Sequence, residues 1–255
     1  MSLQVLYRDA FVVALYKPAG WLVHRTALDS RVPNARIVMP TIRDQLNQYV
    51  YPVHRLDRPT AGILLLALHA QIAKRLSQQF ESRSIDKEYL AVVRGHPTAH
   101  GVIDYPLLER LDPTTDALAR PDKQPQDATT EFRTVARVEH AIAVRPYQTS
   151  RYALVALRPR TGRKHQLRRH LKHIFHPVVG DTTYGDGKHN QSAREHFNCR
   201  RMLLLANRLS FNHPETGERL AITTPGDGEF MAILRAMALM PDGPEGDAAS
   251  STATG

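Results

Sequence analysis

Residues 63–68 read Ile-Leu-Leu-Leu-Ala-Leu, with no polar side chain to mark an outward face. Successive strand residues point to opposite sides of a sheet, so this run predicts a strand buried on both faces. Pro59 and Gly62 break the backbone just ahead of it. A doubly buried strand requires apolar layers above and below, and the composition, 42% apolar, can supply them. One such layer is legible nearby. Ile72, Leu76 and Phe80 recur every fourth residue within 71–84, the pattern of an amphipathic helix. No apolar run approaches the roughly 20 residues needed to span a bilayer, and the N-terminus lacks the basic-then-apolar layout of a signal peptide.

Residues 3–16 read as two short strands around Arg8-Asp9, followed by a turn at Lys17-Pro18-Ala19-Gly20. Residues 29–40 have the composition of an exposed loop, and Thr41 is placed to cap a helix through Ile42, Leu46 and Tyr49. Strands are expected at 88–94, 129–138, 152–158 and 202–211, with a turn at 212–218. Helices are expected through Leu167, Leu171 and Ile174, and over 229–240. Residues 110–128, with four Asp and three Pro, read as a surface loop, and 241–255 as a disordered tail. Strands and helices mix without strict βαβ alternation, so the fold class is α+β, with one domain over 1–240.

The formal charge is +9, but the tail at 241–255 carries three acids and no Lys or Arg, leaving +12 on residues 1–240. That excess points to a polyanionic partner. It is concentrated between Arg158 and His176, where nineteen positions hold seven Lys or Arg, four His and no acid. Phosphate contacts from such a segment give affinity and register, weakening with salt. The spacing of His165, His170, His173 and His176 does not match the i, i+4 pairs of helical zinc sites, so no metal is expected. The glycines at 180, 185 and 187 fit neither a P-loop nor a dinucleotide fingerprint and read as turn residues. A single cysteine, Cys199, excludes an internal disulfide framework, reads as a structural thiol and suits a reducing, cytoplasmic compartment.

The stretch His54-Arg55-Leu56-Asp57-Arg58-Pro59-Thr60 places a carboxylate between two arginines. Nearby guanidinium groups favour an ionised carboxylate, able to act as nucleophile or general base. The same local pattern describes an ordinary structural ion pair, and taken alone it leaves both readings open. Four further motifs occur in order around it: Lys17-Pro18-Ala19-Gly20 with His24, Lys87-Glu88-Tyr89, the stretch TGRKHQLRRH at 161–170, and HPVVGDTTYG at 176–185. Together with HRLD at 54–57 they resemble the motifs of the RluA-type pseudouridine synthases, over about residues 5–220.

The resemblance implies a mixed, largely antiparallel sheet flanked by helices and loops, with a central basic catalytic cleft. It implies that Asp57 is the catalytic aspartate, that Arg168 pairs with it and that Tyr89 lies against the uracil ring. Arg55 would fill the space left by a flipped nucleotide, since the glycosidic carbon is inaccessible in a stacked helix. Arg58, Arg163, Lys164, Arg169 and Lys172 are expected to contact RNA. No cofactor is implied, and nothing calls for an obligate protein partner, so a monomer is expected. No S4-like RNA-binding module is expected ahead of the catalytic sequence. Finer features, among them Arg58-Pro59, Ser150-Arg151-Tyr152 and the dibasic Arg168-Arg169, resemble a subgroup acting on tRNA uridine at position 65 of the T stem. The same reaction on ribosomal RNA or another tRNA position, and a non-catalytic RNA-binding role, are the alternatives. Two positions depart from the family pattern: Ala61 in place of serine, and Leu205 in place of a common histidine.

Overall fold

The structure, a computed structural model, describes residues 2–24, 36–108 and 124–240. Strands β1 (Val5–Arg8) and β2 (Val12–Lys17) form a hairpin. Helix α1 (Val38–Leu46) follows, then a two-residue strand β3 (Tyr51–Pro52), β4 (Ala61–Ala67), helix α2 (Ala70–Glu81), and strands β5 (Asp86–Arg94) and β6 (His100–Asp104). The second part contains β7 (Thr129–His140), β8 (Ser150–Pro159), α3 (Gln166–His173), α4 (Gly187–Phe197), β9 (Leu204–Asn212), β10 (Arg219–Thr223) and α5 (Gly228–Ala236). The strands make one sheet in the order β1-β2-β4-β9-β5-β8-β7-β6, with β10 on β9 and β3 on β4. Every strand pairing is antiparallel except β4 with β9.

Strand β4 is buried along its whole length, and its two faces enter different cores. Leu64, Leu66 and Leu68 pack with Val38, Met39 and Ile42 of the α1 region, while Ile63, Leu65 and Ala67 pack with Ile72 and Leu76 of α2. Each such Leu or Ile contributes about 1.5–3 kcal/mol of transfer free energy. In the other half, Ala91, Ala153 and Val155 pack with Leu167 and Leu171 of α3. Val92 and Leu154 pack with α4 and α5 through Ala193, Phe197, Phe230 and Ile233.

The two halves meet at the parallel β4–β9 bridge, where Gly62 lies beside Ala206. Gly62 has φ +116°, and a Cβ there would stand 2.2 Å from the Ala206 carbonyl oxygen. Only glycine permits both the conformation and the approach. Ala61 and Leu205, the two departures from the family pattern, are partners across this same bridge. Both are fully buried in one apolar cluster, so no polar contact links these positions here.

Several expectations are corrected. Helix α1 begins at Val38 rather than after Thr41, which lies inside it and returns its hydroxyl to the Ile37 carbonyl. Pro40 is tolerated because first-turn N–H groups lack helical acceptors in any case. The helix ends at Asn47, in the left-handed conformation, leaving Tyr49 outside and exposed. Residues 37–39, assigned to an exposed loop, are buried. Strands β3, β6 and β10 and helix α4 were not anticipated. The expected disordered tail at 241–255, most of the loop at 29–40 and most of that at 110–128 lie outside the described residues.

The seam gives a direct test. Gly62→Ala is expected to lower the unfolding free energy by about 3 kcal/mol, from positive-φ strain plus overpacking. A urea midpoint equal to that of the wild type would show that β4 and β9 can separate without cost.

Candidate active site

Asp57 lies just before β4, in a turn whose Thr60 N–H donates to the Asp57 carbonyl. The turn rests on Lys17. That fully buried ammonium donates to the carbonyls of Pro18, Trp21 and Arg58, at 3.0, 2.8 and 3.2 Å. Burial pushes the Lys17 pKa down to about 7, opposed by the charge of Asp57. The Gly20 N–H also donates to the Arg58 carbonyl, so the turn at 17–20 and the HRLD segment are locked together. His54 is not a proton-transfer group. Burial and then the Lys87 charge drive its pKa to about 3, its Nε2 accepts from the Leu65 N–H, and its ring stacks on Phe80.

Arg168 donates to Asp57 through Nη1, at 3.3 Å from Oδ2. Its stronger partner is Asp181, which it grips through Nε at 2.6 Å and Nη2 at 2.9 Å. Asp181 is buried and also accepts from the backbone N–H groups of Thr183 and Tyr184. Burial would raise the Asp181 pKa, but Arg168 and these N–H groups outweigh it and hold the carboxyl below its ordinary value. The guanidinium also lies over the Tyr184 ring, 5.0 Å from its centroid. Gly180 makes this arrangement possible, because a Cβ there would stand 1.9 Å from the Arg201 carbonyl oxygen.

His165 completes the group around Asp57. Its Nε2 is 3.9 Å from Asp57 Oδ1 and its Nδ1 is 3.0 Å from the Tyr184 hydroxyl. Burial lowers its pKa despite Asp57 nearby. It occupies a left-handed conformation at the start of α3. The preceding loop is folded by Gln166, whose Oε1 accepts from Thr161 Oγ1 and the Arg163 N–H. The Gln166 amide donates to the Thr129 carbonyl and Thr130 Oγ1.

A cavity of about 480 Å³ opens over Asp57 and is lined by Arg55, Tyr89, His165 and Arg168, with Leu204 among its apolar walls. Tyr89 sits where β5 has a bulge between Glu88 and Tyr89, the kind of irregularity that re-aims a side chain. Burial first, and the charge of Asp57 second, keep its phenol protonated well above the usual range.

The structure brings Asp57, Arg168, Tyr89, Arg55 and Arg163 to one cavity. Arg163 is anchored by its Nε to the Asp127 carbonyl. Arg58 instead points to the Gly20 carbonyl, and Lys164, Arg169 and Lys172 lie outside the cavity lining. The flanking arginines are thus not what holds Asp57. Asp181, His165, Lys17 and Gln166 were given no role from sequence, although each lies in one of the motifs. The other histidines diverge: His170 bonds with Thr130 and Tyr105, His173 stacks on Tyr105, and His176 bonds with the Arg94 carbonyl. Among the described residues no cluster of three or more His, Cys, Asp or Glu is arranged to hold a metal.

The RNA pseudouridylate synthase family profile matches residues 11–173. Over 232 residues the chain is 50% identical to tRNA pseudouridine synthase C of Pectobacterium carotovorum subsp. carotovorum, covering 91% of this chain and 61% of that protein. It is 49% identical over 232 residues to the Yersinia pestis protein of that name, covering 91% and 90% of the two chains. The Salmonella typhi protein of that name is 50% identical over 243 residues, with coverage of 94% and 93%. Two solved structures share the fold. Human RNA Pseudouridylate Synthase Domain Containing 4 superposes with a TM-score of 0.71 at 24% identity, covering 94% of this chain and 95% of its own. Domain Containing 1 gives 0.67 at 23%, covering 94% and 96%.

Asp181→Asn, which removes the anion and keeps the shape, is expected to cost about 3 kcal/mol of stability, as for other broken buried pairs. Because the folded-state pKa of Asp181 is depressed below 3.8, its contribution is present above that value and lost as pH falls through the depressed one. The stability gap between wild type and variant should therefore narrow on acidification. Urea titrations across acid pH read this directly, and a gap constant to the acid limit of folding would refute it.

Proposed function

The chain belongs to the RNA pseudouridylate synthase family, and on that premise we propose that it isomerises a uridine of tRNA to pseudouridine, at position 65 of the T stem. The observation that carries the reading is the Asp57 carboxylate held 3.3 Å from Arg168 in a cavity shared with the Tyr89 ring. The reaction breaks the bond from ribose C1′ to N1 of the base and forms one from C1′ to C5. The proton on C5 leaves and N1 gains one, so the net change is an isomerisation with no oxidant, reductant or second substrate. Asp57 is the group that acts on the glycosidic unit, as nucleophile or base. Arg168 is a positioning residue that orients Asp57. Tyr89 offers an aromatic surface to a flat base.

The target nucleotide must leave the stack to reach a carboxylate recessed in this cavity. Arg55, exposed at the cavity rim, is suited to hold the gap left behind. Lys164 and Lys172 are exposed on the basic segment, with Arg169 half-buried between them, and are suited to follow phosphates. The tRNA assignment is supported by the names of the relatives that match over nine-tenths of this chain. Position 65 is supported by the motif variants around Asp57 and Arg168.

The test is a map of pseudouridine in total RNA from cells with and without the protein, and with Asp57→Asn in its place. Loss of the T-stem site in both the deletion and the Asp57→Asn strain is expected, with RNA binding by the variant largely retained. Loss confined to ribosomal RNA would overturn the substrate, and a fully active Asp57→Asn protein would overturn the chemistry.

A further inference from the structure

Of the six Lys and Arg side chains that line the cavity, three already have an acceptor and Arg55 stands exposed at the rim. Arg168 is held by Asp57 and Asp181, Arg160 makes a two-point pair with Glu131, and Arg163 is tied to the Asp127 carbonyl. Lys87 and Arg83 differ. Both line the cavity over Asp57, and both also line a second, adjoining cavity of about 560 Å³ bordered by Arg158, Arg160 and Arg208. Among the described residues, neither side chain makes a hydrogen bond or an ion pair. The acids beside Lys87 in sequence are engaged elsewhere: Asp86 with Arg219, and Glu88 with Arg158 and Asn207.

Lys87 is only partly accessible, and the Gly162 backbone leaves its ammonium 4.0 Å from where a Cβ would stand. Burial, reinforced by the like charge of Arg83, disfavours its protonated form. Two cations set side by side with no anion between them raise the energy of the free protein. An anion between them would relieve this, and charge-assisted bonds from both to one phosphate would do so.

We propose that Lys87 and Arg83 form a seat for one backbone phosphate of the RNA, at the junction where the strand passes from the catalytic cavity into the adjoining basic groove. The inference rests on the RNA-modifying reading of the Asp57 site and adds a residue-level path for the strand. It gives Lys87, the first residue of the Lys87-Glu88-Tyr89 motif, a binding role beside Tyr89.

The experiment measures binding of a tRNA transcript over a series of salt concentrations, for wild type, Lys87→Met, Arg83→Gln and Arg83→Lys. Each loss of charge is expected to weaken binding roughly tenfold at low salt and to lower the slope of log K against log salt by a measurable share of the about 0.7–0.9 that one phosphate carries. Arg83→Lys should keep the wild-type slope. Lys87→Met removes an unanswered, half-buried charge, so the melting temperature of the free protein should rise, by about 2–4 °C. A structural lysine would give the reverse, a lowered melting temperature with an unaltered slope. Unchanged slopes in Lys87→Met and Arg83→Gln, with wild type binding tRNA, overturn the seat. Wild type that forms no pseudouridine in tRNA overturns the functional reading itself, and the seat with it.

Discussion

Arg168 is a buried guanidinium shared between two carboxylates, and the geometry of the site follows from how it divides its donors. Nε and Nη2 are committed to Asp181, which is itself fixed by the N–H groups of the turn at 181–184. Nη1 is what remains for Asp57. The planar fork makes this division possible, because fixing two nitrogens fixes the direction of the third. A lysine would supply charge without direction. Asp57 is therefore oriented from Asp181, a residue 124 positions later in the chain, through an intermediary that can barely move.

The sheet makes that long-range arrangement possible. Asp57 enters from the β4 side of the β4–β9 seam, whereas Tyr89, Arg168 and Asp181 come from the far side, on β5, on α3 and just after α3. The seam is short and depends on Gly62 lying against Ala206. Lys17 ties the near side together by anchoring the turn at 17–20 to the Arg58 carbonyl, so the turn carrying Asp57 is held from both directions. A carboxylate assembled from two halves of a sheet is accurate only if both halves are rigid. The doubly buried β4 and the paired β5 and β8 provide that rigidity.

Elements with a clear apolar period were legible in the sequence: β4 as an unbroken run, and α2 from Ile72 and Leu76. Helix α4 was not, because GKHNQSAREHF buries Ala193 and Phe197 but also Asn190, His189 and Ser192, which leaves no apolar stripe to read. Its Asp186 cap, accepting from the Lys188 and His189 N–H groups, was the signal that could have revealed it. Thr41 misled as a cap because a Thr inside a helix can bond to the carbonyl four residues back. The pairing of Asp57 with Arg168 could be inferred only from the resemblance. Asp181 could not, since its motif carries no local mark distinguishing an arginine clamp from a turn.

The excess of positive charge was legible as a total but not as a distribution. Arg94, Arg158, Arg160, Arg201 and Arg219 are each engaged with acids, so the basic composition greatly overstates the number of free cations. The exposed ones among these pairs contribute little to stability, yet they occupy charges that RNA would otherwise meet, while Arg201 is buried. At the cavity, Lys87 and Arg83 have no anion among the described residues and Arg55 stands at the rim. Phosphate contacts fix register without choosing a base. On the proposed function, the choice of uridine would therefore fall to the fit of a flipped base against Tyr89 and Leu204, above a carboxylate whose direction Arg168 has already set.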